Sequence, residues 1–163
     1  MRDLVAGIIA VGLLLFAASL ATALTFFRRR RLQARAAEYA RGRTVIAEIP
    51  AAEDLLLVSE DADAFHYGDT LIPKESIVAA RVLINGSPIA AVVSNRHPDA
   101  AALHPTTFED RPEGIARDRW DVAVEMTQGM VLIECGAIRE RVSQELARAI
   151  FDAVKRDVER RNT

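Results

Sequence analysis

From Leu4 to Phe27 the chain reads LVAGIIAVGLLLFAASLATALTFF, 24 residues without a charge, and four arginines, Arg28 to Arg31, follow at once. As a helix that run reaches about 36 Å at about 1.5 Å per residue. It is long enough to cross a hydrocarbon core of about 30 Å with some tilt. Its polar members, Ser19, Thr22 and Thr25, can return their hydroxyls to the helix's own carbonyls, so none forbids burial in lipid. The expectation is a transmembrane helix over residues 4–27. A cleaved leader competes with it, because Ala21-Thr22-Ala23 matches a small-x-small cleavage pattern. Against cleavage stand the length of the apolar run and an n-region that offers only Arg2 beside Asp3.

The arginines set the expected orientation. Clustered Lys and Arg beside a span stay on the cytoplasmic side, so the N-terminus faces out and the chain from Arg28 onward lies in the cytoplasm. Between Arg28 and Arg43 there are seven arginines against the single acid Glu38, a net charge of +6. From Thr44 to Thr163 there are 13 Lys and Arg against 21 Asp and Glu, a net of −8, so the overall −2 conceals a polar molecule. A basic neck on an acidic domain points to anionic lipid at the neck and away from nucleic acid. The expected lipid-contacting residues are Phe26, Phe27, Arg28, Arg29, Arg30, Arg31 and Arg35, the rings near the lipid boundary and the guanidinium groups reaching the phosphates. A stop-transfer signal alone would need the same block.

Residues 28–42 read as a helical neck, free of Pro and rich in Arg, Ala and Gln, with Gly42 as its stop. Residues 43–163 change period. TVIAEI (44–49), LLLVS (55–59), AFHY (64–67), TLIP (70–73), IVAARVLI (77–84), PIAAVVS (88–94), RWDVAVEM (119–126) and MVLIEC (130–135) are short extended runs parted by turn residues, among them Gly68-Asp69 and Asn85-Gly86. Trp120, Val122, Val124 and Met126 alternate with Asp121, Ala123 and Glu125, the pattern of a half-buried strand. Over 143–161 a helix is expected, with Ser143 as N-cap and Leu146, Ala147, Ile150, Phe151, Val154 and Val158 on one stripe. The fold class is therefore α+β: an N-terminal transmembrane helix with its neck, then about six or seven antiparallel strands closed by an amphipathic helix.

The run LLLVSEDADAFHYGDTLIPKESIVAARVLI, then DVAVEMTQGMVLIECG and a final helix, resembles the bacterial pleckstrin-homology and GRAM-like group, with Ile72, Pro73 and Ile77 as its I-P-x-x-x-I element. The resemblance implies a small, partly open barrel used for binding, at a bacterial inner membrane. The chain departs from the group's phosphoinositide-binding members in its first hairpin loop, SEDAD, which is acidic where they would carry Lys or Arg.

Little in the chain points to chemistry. Cys135, the sole cysteine, ends an apolar strand and reads as a buried, inert thiol. His97 and His104 stand in a loop with Asp99, Glu109 and Asp110, a donor set zinc could use at a spacing zinc sites seldom have. No Gly-rich phosphate loop, nucleophile elbow or recognisable carboxylate pair occurs. The expectation is a non-enzymatic protein without metal, cofactor or small-molecule substrate. Loop 95–118 is long for a compact domain, and Leu103, Phe108 and Ile115 within it are candidate partner-binding residues. The chain thus reads as a single-pass membrane-anchored binding or scaffold protein with a protein partner. The alternative is an accessory subunit of a larger integral membrane complex, for which Ala6 with Ala10 and Ala17 with Ala21 would permit close packing of spans.

Overall fold

In the computed structural model the described residues are 2–50, 55–96 and 118–163. They form two compact units, divided after Arg41.

The first unit is one helix, α1 (Arg2–Ala40), which runs on without a break where the apolar stretch meets the arginines. It is, among the described residues, the one helix long and apolar enough to cross a membrane, and it lies near the N-terminus. Thr22 donates its hydroxyl to Ala18 O at 2.8 Å and Thr25 donates to Thr22 O at 2.8 Å, the internal satisfaction a helix in hydrocarbon needs. The helix ends as expected: Arg41 N–H donates back to Ala37 and Glu38 carbonyls, and Gly42 takes a left-handed φ of 76°.

The second unit holds β1 (Thr44–Pro50), β2 (Leu55–Glu60), β3 (Ala64–Tyr67), β4 (Thr70–Pro73), a 3-10 turn (Lys74–Ser76), β5 (Ile77–Ile84), β6 (Ser87–Val93), β7 (Arg119–Met126), β8 (Gly129–Ala137) and α2 (Arg141–Asn162). The strands make two four-stranded antiparallel sheets, β1-β2-β3-β4 and β6-β5-β7-β8. The α+β class holds, with eight strands among the described residues rather than six or seven, and the sheets do not close into a barrel. At one seam the chain passes from β4 to β5 through the turn after Pro73, whose nitrogen has no hydrogen to donate. At the other, the edge strands β1 and β8 approach one another without pairing.

Asn85-Gly86 forms the β5–β6 turn with both residues at positive φ, 51° and 74°, the primed geometry that matches strand twist. The core lies between the sheets and α2, around Phe65, Ile72, Ile77, Val122, Ile133 and Ile150. The helical stripe is as the spacing predicts, Ala147, Ile150, Phe151, Val154 and Val158 buried and Leu146 partly so. Each such large aliphatic contributes about 1.5–3 kcal/mol.

Two expectations fail here. The cap of α2 is Glu140, not Ser143; Ser143 sits within the first turn, buried, and donates its hydroxyl to Glu140 Oε2 at 3.2 Å. β7 is buried on both faces, because Asp121 and Glu125 are paired and not solvated: Arg119 Nε lies 3.0 Å from Asp121 Oδ2, and Arg81 Nε lies 2.8 Å from Glu125 Oε1.

All four edge strands are interrupted. β1 carries an extra residue at Ile46 and ends in Pro50, and β4 is four residues long and ends in Pro73. β6 bulges at Ile89 and has its Val93 carbonyl covered by Asn162 Nδ2 at 3.1 Å. β8 bulges at Cys135. Bulges, brevity and prolines keep a sheet edge from templating another strand.

Candidate functional site

The bulge at Cys135 turns the end of β8 toward α2, and Gly136, at φ 116°, makes the approach possible. A Cβ there would stand 2.5 Å from Ser143 Oγ, so only glycine lets the strand end and the first turn of α2 come together. Between them and the edge of the other sheet lies a slot of about 330 Å³. Its apolar lining comes from Ile49, Leu56, Tyr67, Val142 and Leu146; its polar lining is Arg119, Glu134, Glu140 and Ser143.

The charges around the slot are ordered from below. Asp121 is fully buried, and burial pushes its pKa up, offset in part by the Arg119 guanidinium. Its Oδ1 makes no hydrogen bond to the protein. Burial opposes the charge on Arg119, yet its bond to Asp121 and the nearby Glu134 leave its pKa above the ordinary value. Arg119 Nη1 reaches Glu134 Oε1 at 2.8 Å, while Glu134 keeps more than half of its side chain exposed. Tyr67 also rises, through burial first. The Cys135 thiol is pushed up to about 12 by burial and by the Asp121 charge. A thiol held so far from ionisation is no nucleophile, as its place on an apolar strand predicts.

A second polar cluster sits where the β2–β3 turn meets α2. Asp61 Oδ1 accepts from the N–H groups of Asp63 and Ala64 at 2.9 and 2.8 Å, which makes SEDAD a turn, and Asp61 Oδ2 lies 2.7 Å from His66 Nε2. The His66 bond and then those N–H groups hold the Asp61 carboxyl down at about 2. Lys74 is buried, donates to Asp61 O at 2.5 Å, and stands 3.6 Å from Glu60 Oε2 and 4.0 Å from Asp157 Oδ1. Arg160 and Arg161 each approach Asp157 at 2.6 Å, and Arg161 also donates to Lys74 O. An open groove of about 590 Å³ runs beside this cluster. Ser59 stands opposite His66 across β2 and β3, and both side chains are buried.

On α1, Arg28, Arg31 and Arg35 share one face with Leu32 and line a shallow cleft. Phe26 is exposed. The side chain of Phe27 and the candidate partner residues Leu103, Phe108 and Ile115 lie outside the described residues, as do His97 and His104. Among the described residues no three His, Cys, Asp or Glu side chains converge as a metal site. The seam slot is what the sequence reading missed; Gly136 beside a strand end was its one local signal. In comparisons with protein-family models, curated proteins and solved structures, nothing matches this chain.

Proposed function

We propose that this chain is a single-pass, membrane-anchored, non-enzymatic binding protein that presents its β-rich unit to the cytoplasm. The observation that carries this reading is the continuity of α1, one helix that is apolar to Phe27 and basic from Arg28, joined to a separately compact unit. An apolar helix of that length suits a span, and the arginines after it favour the cytoplasmic side. They also suit anionic lipid at the inner face of a bacterial membrane. Two antiparallel sheets with a C-terminal helix leave room for the pleckstrin-homology-like kinship suggested by Ile72, Pro73 and Ile77, as a binding scaffold.

Single-cysteine labelling in intact cells tests this, because the buried, un-ionised Cys135 is silent. A membrane-impermeant maleimide labels the Asp3→Cys protein and spares Arg148→Cys until the membrane is opened. Labelling of Arg148→Cys in intact cells, or loss of the Asp3 site from the mature chain, overturns the anchor and its direction. Purification in mild detergent then separates a tethered module, recovered free, from an accessory subunit, recovered with integral partners in fixed ratio.

A further inference from the structure

We infer that the seam slot between β1, β2, β8 and the first turn of α2 is a docking site for a protein segment that offers one apolar anchor side chain flanked by Lys or Arg. The inference rests on the reading of the chain as a binding protein and names the surface and the chemistry of its partner.

Size comes first. Sites for whole small molecules run from about 300 to 1,000 Å³. At about 330 Å³ this slot stands at the small end of that range, with room for one large aliphatic or aromatic side chain of an incoming segment. Its walls are apolar and include Val142, which is 61% exposed at the mouth although it follows directly on the helix start. One wall is also fixed in place, since Gly136 brings β8 against Ser143. A preformed pocket of this kind is where an interface anchor gains most.

Charge selects the partner. Two carboxylates, Glu134 and Glu140, line the slot with one guanidinium, Arg119, which also pairs with Asp121 buried beneath it. Arg119 is shared between Asp121 and Glu134, so one cation serves two carboxylates, and Glu134, more than half exposed, and Glu140 leave the rim with an excess of negative charge. The β-rich unit as a whole carries −8 from Thr44 to Thr163. Both fields repel acidic segments and draw basic ones. Addition of a partner strand is disfavoured, because the bulge at Cys135 breaks the β8 edge beside the slot.

The test selects a phage-displayed library of random peptides against the full chain in nanodiscs of neutral phosphatidylcholine, with empty nanodiscs as counter-selection. Enriched sequences are expected to combine a large apolar residue with neighbouring Lys or Arg. The synthesised winners should weaken by about fivefold for each rim charge lost. In Glu134→Gln/Glu140→Gln the basic preference disappears while the apolar one stays; in Val142→Asp the apolar preference falls as well. Glu140→Gln alone, at an exposed position, serves if the double variant melts early. Enrichment of sequences without Lys or Arg, enrichment indifferent to these variants, or no enrichment over empty discs overturns the inference. If the chain meanwhile co-purifies with a partner, its role as a binding protein stands and only the surface is wrong.

Discussion

Lys74 places its ammonium 4.8 Å from the centroid of the Phe65 ring while its main chain accepts a hydrogen bond from Arg161 near the end of α2. One residue of a 3-10 turn thus joins the hydrophobic core, the β2–β3 turn and the last turns of the helix. Removing the ammonium leaves Glu60 and the Asp61 carbonyl without a buried donor. Lys74→Met should destabilise the β-rich unit by about 3 kcal/mol, the usual result of breaking one side of a buried pair. Urea unfolding followed by the fluorescence of Trp120, the sole tryptophan, measures it. An unchanged midpoint would show that Arg160 and Arg161 satisfy Asp157 by themselves.

Asp61 makes stability depend on acid. Its folded pKa, about 2, lies below the ordinary 3.8, so the unfolded chain binds the proton more tightly. The stabilisation is therefore fully present above about pH 4 and is lost as pH falls through about 2. Asp61→Asn should lower the urea midpoint at pH 7 and make little difference at pH 2. A deficit that stays the same at both values would assign the loss to turn geometry, with no part for the carboxylate charge.

Gly136→Ala combines a forbidden backbone angle with a collision at Ser143 Oγ. A destabilisation of about 2 kcal/mol is expected from the angle alone. Adding Ser143→Ala should recover the part due to the collision, although Ser143 Cβ at 3.3 Å limits the relief. If the two substitutions prove additive, β8 and α2 do not press together at this point.

The arginine block should hold anionic lipid. A synthetic peptide of residues 28–43 is expected to bind vesicles rich in phosphatidylserine, each arginine near the surface contributing about 1 kcal/mol at best. Raising salt should release it as the screening length falls from about 10 Å at 0.1 M to about 3 Å at 1 M. Replacing Arg28 to Arg31 with glutamine removes most of the binding. In the whole chain, replacing exposed Arg139 and Arg141 changes little. Equal binding to neutral vesicles would reduce the block to a topology signal.

The helices and strands were readable because their signals are local: an unbroken apolar run, alternation, Asn85-Gly86, a stripe at helical spacing. Pairing partners were not. Asp121 and Glu125 occupy the polar positions of an alternating strand, and alternation alone assigns them to water. Their burial depends on Arg119 within β7 and on Arg81, which β5 brings alongside. The same limit explains why the resemblance pointed to a partly open barrel where two separate sheets stand, since closure depends on how the outer strands of the sheets meet. The seam slot escaped for a related reason: its lining comes from six separate elements, and no stretch of sequence contains more than a fragment of it.

On the proposed reading of α1 as an anchor, the interrupted edges bear on life in a membrane plane. Anchored molecules meet their own copies at effective concentrations far above those of free protein, in encounters that repeat. A flat, uncharged and unbroken strand edge would under those conditions seed stacks of like sheets. The bulge at Ile89 and the amide of Asn162 on Val93 remove that route at β6, and short length, prolines and bulges remove it at the other three edges. On that reading crowded copies collide and part without pairing edge to edge.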